Sequence, residues 1–124
     1  DFFKNVNDDF GHNMGDLVLR EFSIVVKRLI RTDDILARWG GEEFCIIAAE
    51  MDLKSIVQFT ERISESIENF NFSVKRTITA SFGIAGYKYG EPMDEFIKRA
   101  DYALYEAKKT GRNRVIVEPD EKNT

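Results

Sequence analysis

Cysteine, proline, histidine and tryptophan are all scarce in this chain. Its 124 residues hold one cysteine, two prolines, one histidine and one tryptophan. A single cysteine excludes an intrachain disulfide and makes a reducing compartment the simplest setting. Cys45 lies in the apolar run Phe44-Cys45-Ile46-Ile47, which suits a buried strand residue better than a nucleophile. Basic excess is missing too: 18 Lys and Arg face 22 Asp and Glu, for a net charge of −4. That balance gives no footprint for nucleic acid or for an anionic membrane surface. No apolar run approaches the ~18 residues a membrane span needs, and no signal peptide opens the chain. Repeats and low-complexity linkers are absent. What remains is an ordinary soluble composition, 43% hydrophobic and 32% charged, at a length that suits one domain with a real core.

The chain is organised around Ile35 to Ala48. Ile35-Leu36-Ala37 and Phe44-Cys45-Ile46-Ile47 read as two short strands joined through Arg38, Trp39, Gly40, Gly41, Glu42 and Glu43. Two apolar runs joined across a glycine pair predict a hairpin, with the glycines free to take positive φ. Trp39 reads as a strand or edge packing residue. Two adjacent carboxylates repel, so a turn that carries them calls for positive charge; a divalent cation with phosphates is the natural candidate. The plainer reading is a polar hairpin tip.

Elsewhere the pattern alternates helices and strands. Asp1 to Asp16 is polar, with Asn7-Asp8-Asp9 and Gly11-His12-Asn13 as turn clusters. Leu17, Leu19, Phe22, Val25, Val26 and Leu29 predict a helix from near Gly15 or Asp16, which Asp16 can cap. Met51 to Asn69 reads as a second helix with Asp52 as its cap, and Phe72 to Tyr89 as a strand region rich in β-prone residues. Pro92 fits the first turn of a third long helix, which Gly111 stops. Val115 to Val117 forms a last short strand. Residues 118–124 read as a frayed charged tail.

Gly40-Gly41-Glu42-Glu43-Phe44 resembles the signature turn of the GGDEF family, the diguanylate cyclases, in its Glu-Glu form. Other segments match in order. The opening supplies Asp1, Phe3, Lys4, Asn7, Asp8, Gly11, His12, Gly15 and Asp16. Thr79 to Ala85 is similar to the family's core strand, with Ser81 and Gly83 as packing residues. Ala100 to Asn113 resembles its closing motif. The resemblance implies an α/β fold of the nucleotidyl-cyclase and polymerase-palm kind, a central antiparallel sheet with flanking helices. Asp1 aligns with the second aspartate of the family's Asp-x-Asp motif. The first, a metal ligand, and the strand that carries it fall upstream of the sequence. Residues 1–124 are therefore expected to be one such domain without its usual first strand and preceding helices, weak or inactive alone.

The resemblance also assigns roles. Glu42 and Glu43 become ligands of Mg2+ or Mn2+, with Glu43 helping to deprotonate the attacking hydroxyl. Lys4, Lys108 and Arg112 become triphosphate contacts. Lys108 and Arg112 lie four apart at a helix end, where a charged terminus alone would also place them. Asn7 and Asp16 match the guanine-reading pair, though turn and cap chemistry would use the same side chains. Gly40 and Gly41 leave room for the nucleotide. His12 is expected to be structural. Arg31-Thr32-Asp33-Asp34, five residues before Gly40, resembles the family's inhibitory site, with Arg31 and Asp34 holding cyclic di-GMP and Arg62 completing the site; a surface loop is the plainer reading. The implied activity condenses two GTP into cyclic di-GMP across a homodimer in the cytoplasm. An upstream regulatory domain is expected, with no nucleic acid and no direct membrane contact. The alternative is a degenerate domain that senses GTP or cyclic di-GMP without turnover, and a polymerase palm fits the charge and size poorly.

Overall fold

Valine, leucine and isoleucine at helical spacing build the longest element of the computed structural model, which describes residues 1, 3–49 and 51–118. This is α2, His12–Leu29, which buries Val18, Leu19, Val25 and Val26 along one stripe. A shorter helix, α1 (Phe3–Phe10), precedes it and buries Val6. The two meet at Gly11, whose φ of 89° lies in the region that favours glycine. Asn7-Asp8-Asp9 is therefore helical rather than a turn. Val6 has a core to enter, and the break falls at the single residue that can make it without strain. The helix expected from Gly15 or Asp16 begins at His12, so Asp16 lies inside α2 and caps nothing; the Gly11 position carries no side-chain cap.

After α2 the chain forms the expected hairpin. Strand β1 (Ile35–Arg38) pairs antiparallel with β2 (Phe44–Ile47), Ile35 opposite Ile47 and Arg38 opposite Phe44. Phe44 stacks on Phe22 of α2 with ring centroids 5.0 Å apart, which seats the hairpin on the long helix. Cys45 is half-buried in β2, where burial, and then the charge of Asp101, push its thiol above the ordinary value. Trp39 is not a packing residue: it lies past the end of β1 and is 54% exposed.

Helix α3 (Leu53–Asn69) is capped as expected, with the Asp52 side chain accepting from the Ser55 backbone N–H at 2.8 Å. It buries Phe59, Ile63 and Ile67, the last two essentially inaccessible. Each such side chain contributes about 1.5–3 kcal/mol of burial. The strand region expected over Phe72 to Tyr89 contracts to β3, Phe82–Ile84. Phe72, Val74, Ile78 and Ala80 still enter the core, but from turns and extended chain. Lys75 there has φ 59°, and the ladder partner of β3, strand β4 (Val115–Val117), is only three residues long.

Helix α4 (Met93–Lys109) follows Pro92, which sits one residue outside the helix rather than in its first turn. Asp94 and Glu95 at its start and Lys108 and Lys109 at its end complement the helix dipole. α4 lies tightly on β3 because residue 83 is glycine. A Cβ there would stand 2.3 Å from both the Ala100 carbonyl and the Leu104 backbone nitrogen. Arg99 of α4 joins three segments: it donates to Glu91, to Glu118 at 3.1 Å and to the Gly86 carbonyl at 2.8 Å.

The architecture is a mixed α/β fold with strands flanked by helices. Among the described residues the strands form two pairs, β1–β2 antiparallel and β3–β4 parallel, rather than one antiparallel sheet. Also among them, no helix is long and apolar enough to cross a membrane. Most of the tail expected over 118–124 lies outside the described residues, as do Phe2 and Glu50.

Candidate active site

The hairpin tip is held by its own backbone. The Trp39 and Gly40 N–H groups both donate to the Glu43 carbonyl, at 2.8 and 3.3 Å. Arg38, the last residue of β1, folds its guanidinium back onto the Gly40 carbonyl at 3.2 Å and onto the Gly41 carbonyl. The turn leaves the Glu42 side chain exposed and the Glu43 side chain partly so. Sequence reasoning gave Arg38 no role; it stands two residues before the glycine pair whose carbonyls it caps.

The glycines do something other than expected. Neither Gly40 nor Gly41 lies in the left-handed region, which among glycines holds Gly11, Gly90 and Gly111. A Cβ at Gly40 would make only ordinary contacts, 3.9 Å from Glu43, and one at Gly41 would meet nothing. Nothing in the folded chain itself requires glycine at either position.

The end of α4 meets this tip. Lys108 Nζ stands 3.5 Å from Glu43 Oε1, with both side chains partly exposed. Beyond it Gly111 (φ 132°) ends the helix, and the Arg112 N–H returns to the Ala107 carbonyl at 2.9 Å, a Schellman-type closure. Arg112 and Asn113 follow in left-handed conformations, φ 62° and 46°. The Arg112 guanidinium donates to the Lys108 carbonyl at 3.2 Å. Asp1 borders the same segment: its carboxylate accepts from the Asn113 backbone N–H at 3.1 Å. Four of the expected residues, Glu42, Glu43, Lys108 and Arg112, are thus brought together from two ends of the fold.

The residues expected to read the base sit at the α1–α2 corner. Asn7 packs against Gly15, where a Cβ would fall 1.8 Å from Asn7 Oδ1. That oxygen is buried and has no hydrogen-bond partner. Asp16, next along α2, is exposed, as is Lys4, one turn before Asn7 and Asp8 on α1. His12 is exposed at the start of α2.

Arg31 and Asp34 are brought together, but onto each other. Asp34 Oδ2 accepts from the Arg31 backbone N–H at 2.8 Å and from Nε at 3.4 Å, and Oδ1 from the guanidinium at 3.3 Å. Arg31 also donates to the Ala49 carbonyl. Burial pushes the Asp34 carboxyl up, but these hydrogen bonds, the Arg31 charge and the Ala49 N–H outweigh it and hold the group below its usual value. Arg31, Thr32, Asp33 and Ala49 line a surface cleft of about 420 Å³. Arg62 lines another, of about 570 Å³, and stacks over Phe59. Neither cleft is lined by Glu42 or Glu43.

Carboxylate oxygens are hard donors suited to Mg2+ or Mn2+, and Mg2+ is commonly held by one or two carboxylates together with substrate phosphates. Among the described residues no group of three or more acidic, histidine or cysteine side chains gathers. The Glu42–Glu43 pair fits a metal bound in that shared way, with Lys108 offsetting charge beside it.

Residues 1–114 match the family described as diguanylate cyclase, GGDEF domain. The chain belongs to the GGDEF family. It is 40% identical over 121 residues to diguanylate cyclase A of Treponema denticola, covering 94% of this chain and 33% of that protein. The diguanylate cyclase SiaD of Pseudomonas aeruginosa, solved with its activator SiaC, superposes with a TM-score of 0.91 at 36% identity, over 94% of this chain and 46% of that one. The GGDEF domain of DgcB from Caulobacter crescentus, solved with cyclic di-GMP, gives 0.89 at 35% identity, over 95% and 72%. This GGDEF chain thus spans about a third of the length of the Treponema relative.

Proposed function

We propose that the intact protein is a diguanylate cyclase, condensing two GTP into cyclic di-GMP with release of two pyrophosphates. The observation that carries this is the hairpin tip. Glycine at 40 and 41 is demanded neither by backbone conformation nor by packing, beside two adjacent carboxylates and a lysine 3.5 Å from one of them. Close approach of a nucleotide to that backbone supplies the missing reason. In each half-reaction a ribose 3′-hydroxyl attacks the α-phosphate of a second GTP and pyrophosphate leaves. One domain offers one set of these residues, so two facing copies complete the reaction. The partner copy and an upstream regulatory domain belong to the intact protein.

Glu42 and Glu43 would hold Mg2+ or Mn2+, which supplies charge neutralisation at the phosphates and a lowered hydroxyl pKa. Glu43 would take up the hydroxyl proton. Lys108, Arg112 and Lys4 bind the triphosphate and offset charge on the leaving pyrophosphate. The buried, unpartnered oxygen of Asn7 accepts from a guanine N–H, and Asp16 accepts from the base edge. Arg31 and Arg62 line the surface at which product would bind and slow the enzyme, with Asp34 buried behind Arg31 and holding its guanidinium.

Incubating the full-length protein with GTP and Mg2+ and separating the products by chromatography tests the assignment. Cyclic di-GMP from the wild type, and none from a Glu43→Gln variant that melts at the same temperature, is the expected result. An unchanged rate in that variant overturns it.

A further inference from the structure

We propose that Asp1 is a positioning residue for the phosphate-binding cations Lys108 and Arg112. This rests on the nucleotide reading above and extends it to a residue that reading leaves idle. The Asp1 carboxylate joins segments remote in sequence. Its Oδ1 accepts from Ser81 Oγ at 2.6 Å, and its Oδ2 from Thr79 Oγ1 at 2.8 Å and from the Asn113 backbone N–H at 3.1 Å. Hydroxyls can reverse their hydrogen bonds, but a backbone N–H only donates. The Asn113 contact therefore requires an acceptor at that point.

Asn113 ends a loop that needs holding. Arg112 and Asn113 both carry side chains and both lie at positive φ, a region disfavoured for such residues and kept only where surrounding contacts fix it. One restraint is the Arg112 N–H to the Ala107 carbonyl, which ties the loop back to α4. Another is Arg114 Nε to the Arg112 carbonyl at 3.0 Å, within the loop itself. Asp1 ties it instead to Thr79 and Ser81, which lead into β3. It thereby references the cationic end of α4 to the strand beneath it. Arg112 adjoins the tethered Asn113, and its guanidinium donates to the Lys108 carbonyl at 3.2 Å, so tether and cations share one neighbourhood. Without the carboxylate, Asn113 loses its tie to Thr79 and Ser81, the loop keeps only the Phe82 N–H to Arg114 carbonyl bond at 2.9 Å on the β3 side, and the two cations lose part of what fixes their place for the β- and γ-phosphates. Asn7 and Asp16, on the α1–α2 corner, keep theirs.

The test compares two nucleotides on the full-length protein. 3′-Deoxy-GTP carries the triphosphate but lacks the attacking hydroxyl, so it binds without turnover; GMP carries the base without the outer phosphates. Calorimetry should show Asp1→Ala raising Kd for 3′-deoxy-GTP roughly tenfold, the scale of a lost charge-assisted hydrogen bond, while Kd for GMP stays within about twofold. Asp1→Asn, which can still present an oxygen to Asn113, should fall between wild type and Ala, and the Asn113 amide should exchange faster in the Ala variant. Unchanged affinity for 3′-deoxy-GTP, or equal weakening toward both nucleotides, overturns the positioning role. A wild type that binds neither nucleotide is a different result: it overturns the reading of the site itself.

Discussion

Lys108 and Glu43, 65 residues apart in sequence, place an ammonium nitrogen 3.5 Å from a carboxylate oxygen. The contact joins the last turn of a helix to the tip of a hairpin. Both side chains are about a third or more exposed, so the pair contributes under about 1 kcal/mol to stability. Its worth is in function. Lys108→Ala should leave the melting temperature within about 4 °C and lower kcat/KM for GTP by about a hundredfold. Thermal melts alongside initial rates check this, and a large drop in melting temperature would make the lysine a structural residue first.

The proposed product inhibition can be probed from either of its two arginines, but the two are not equivalent. Arg62 lies over the Phe59 ring and forms no ion pair among the described residues, so Arg62→Ala should weaken inhibition by cyclic di-GMP about tenfold with an unchanged melting temperature. Arg31→Ala should weaken it too and also destabilise the fold, because Asp34 has no exposed side-chain surface and would lose its cation. Titrating cyclic di-GMP against initial rate in both variants, beside thermal melts, separates the effects. Equal inhibition in wild type and both variants removes the site.

Acid should unfold the protein through its locked carboxylates. Burial pushes the Glu91 carboxyl up, but the Lys88 N–H, the hydrogen bonds and charge of Arg99, and the Lys88 charge outweigh it and hold it below its usual value. Asp34 is held down in the same direction by Arg31. Groups with depressed folded values contribute stability that is complete above the ordinary carboxylate range of about 4 and is lost as pH falls through the folded values. The denaturant midpoint should stay level from about pH 7 to 5 and then decline. Glu91→Gln, which removes one of these titrations, should decline less steeply below pH 4.

The parts of the fold legible in the sequence are those whose causes are local. Two short apolar runs joined across a glycine pair define the hairpin, and helical periodicity defines α3 and α4, with Asp52 at the cap of one and Gly111 at the end of the other. Glu42, Glu43, Lys108 and Arg112 were readable as a group because short motifs carry them. The misreadings share a distant cause. Whether Val74, Ile78 and Ala80 form a strand depends on a ladder partner elsewhere, and whether Asn7-Asp8-Asp9 turns or coils depends on the core that receives Val6. Asp1 finds its partners 78, 80 and 112 residues away, beyond any local pattern. Gly40 and Gly41 were read for backbone freedom, yet their φ angles lie outside the left-handed region.

The close seat of α4 on Gly83 works as a fulcrum. The helix backbone touches the strand at Ala100 and Leu104, and Lys108 lies one turn beyond, about 6 Å along the axis. A helix is stiff over that distance, so tilt at the seat carries through to the lysine. One methyl group at position 83 would lift α4 from β3 and swing the ammonium relative to Glu43. The spacing of charges at the hairpin tip is therefore set partly by a hydrogen atom on the buried side of the helix, in a residue that touches no charged group there.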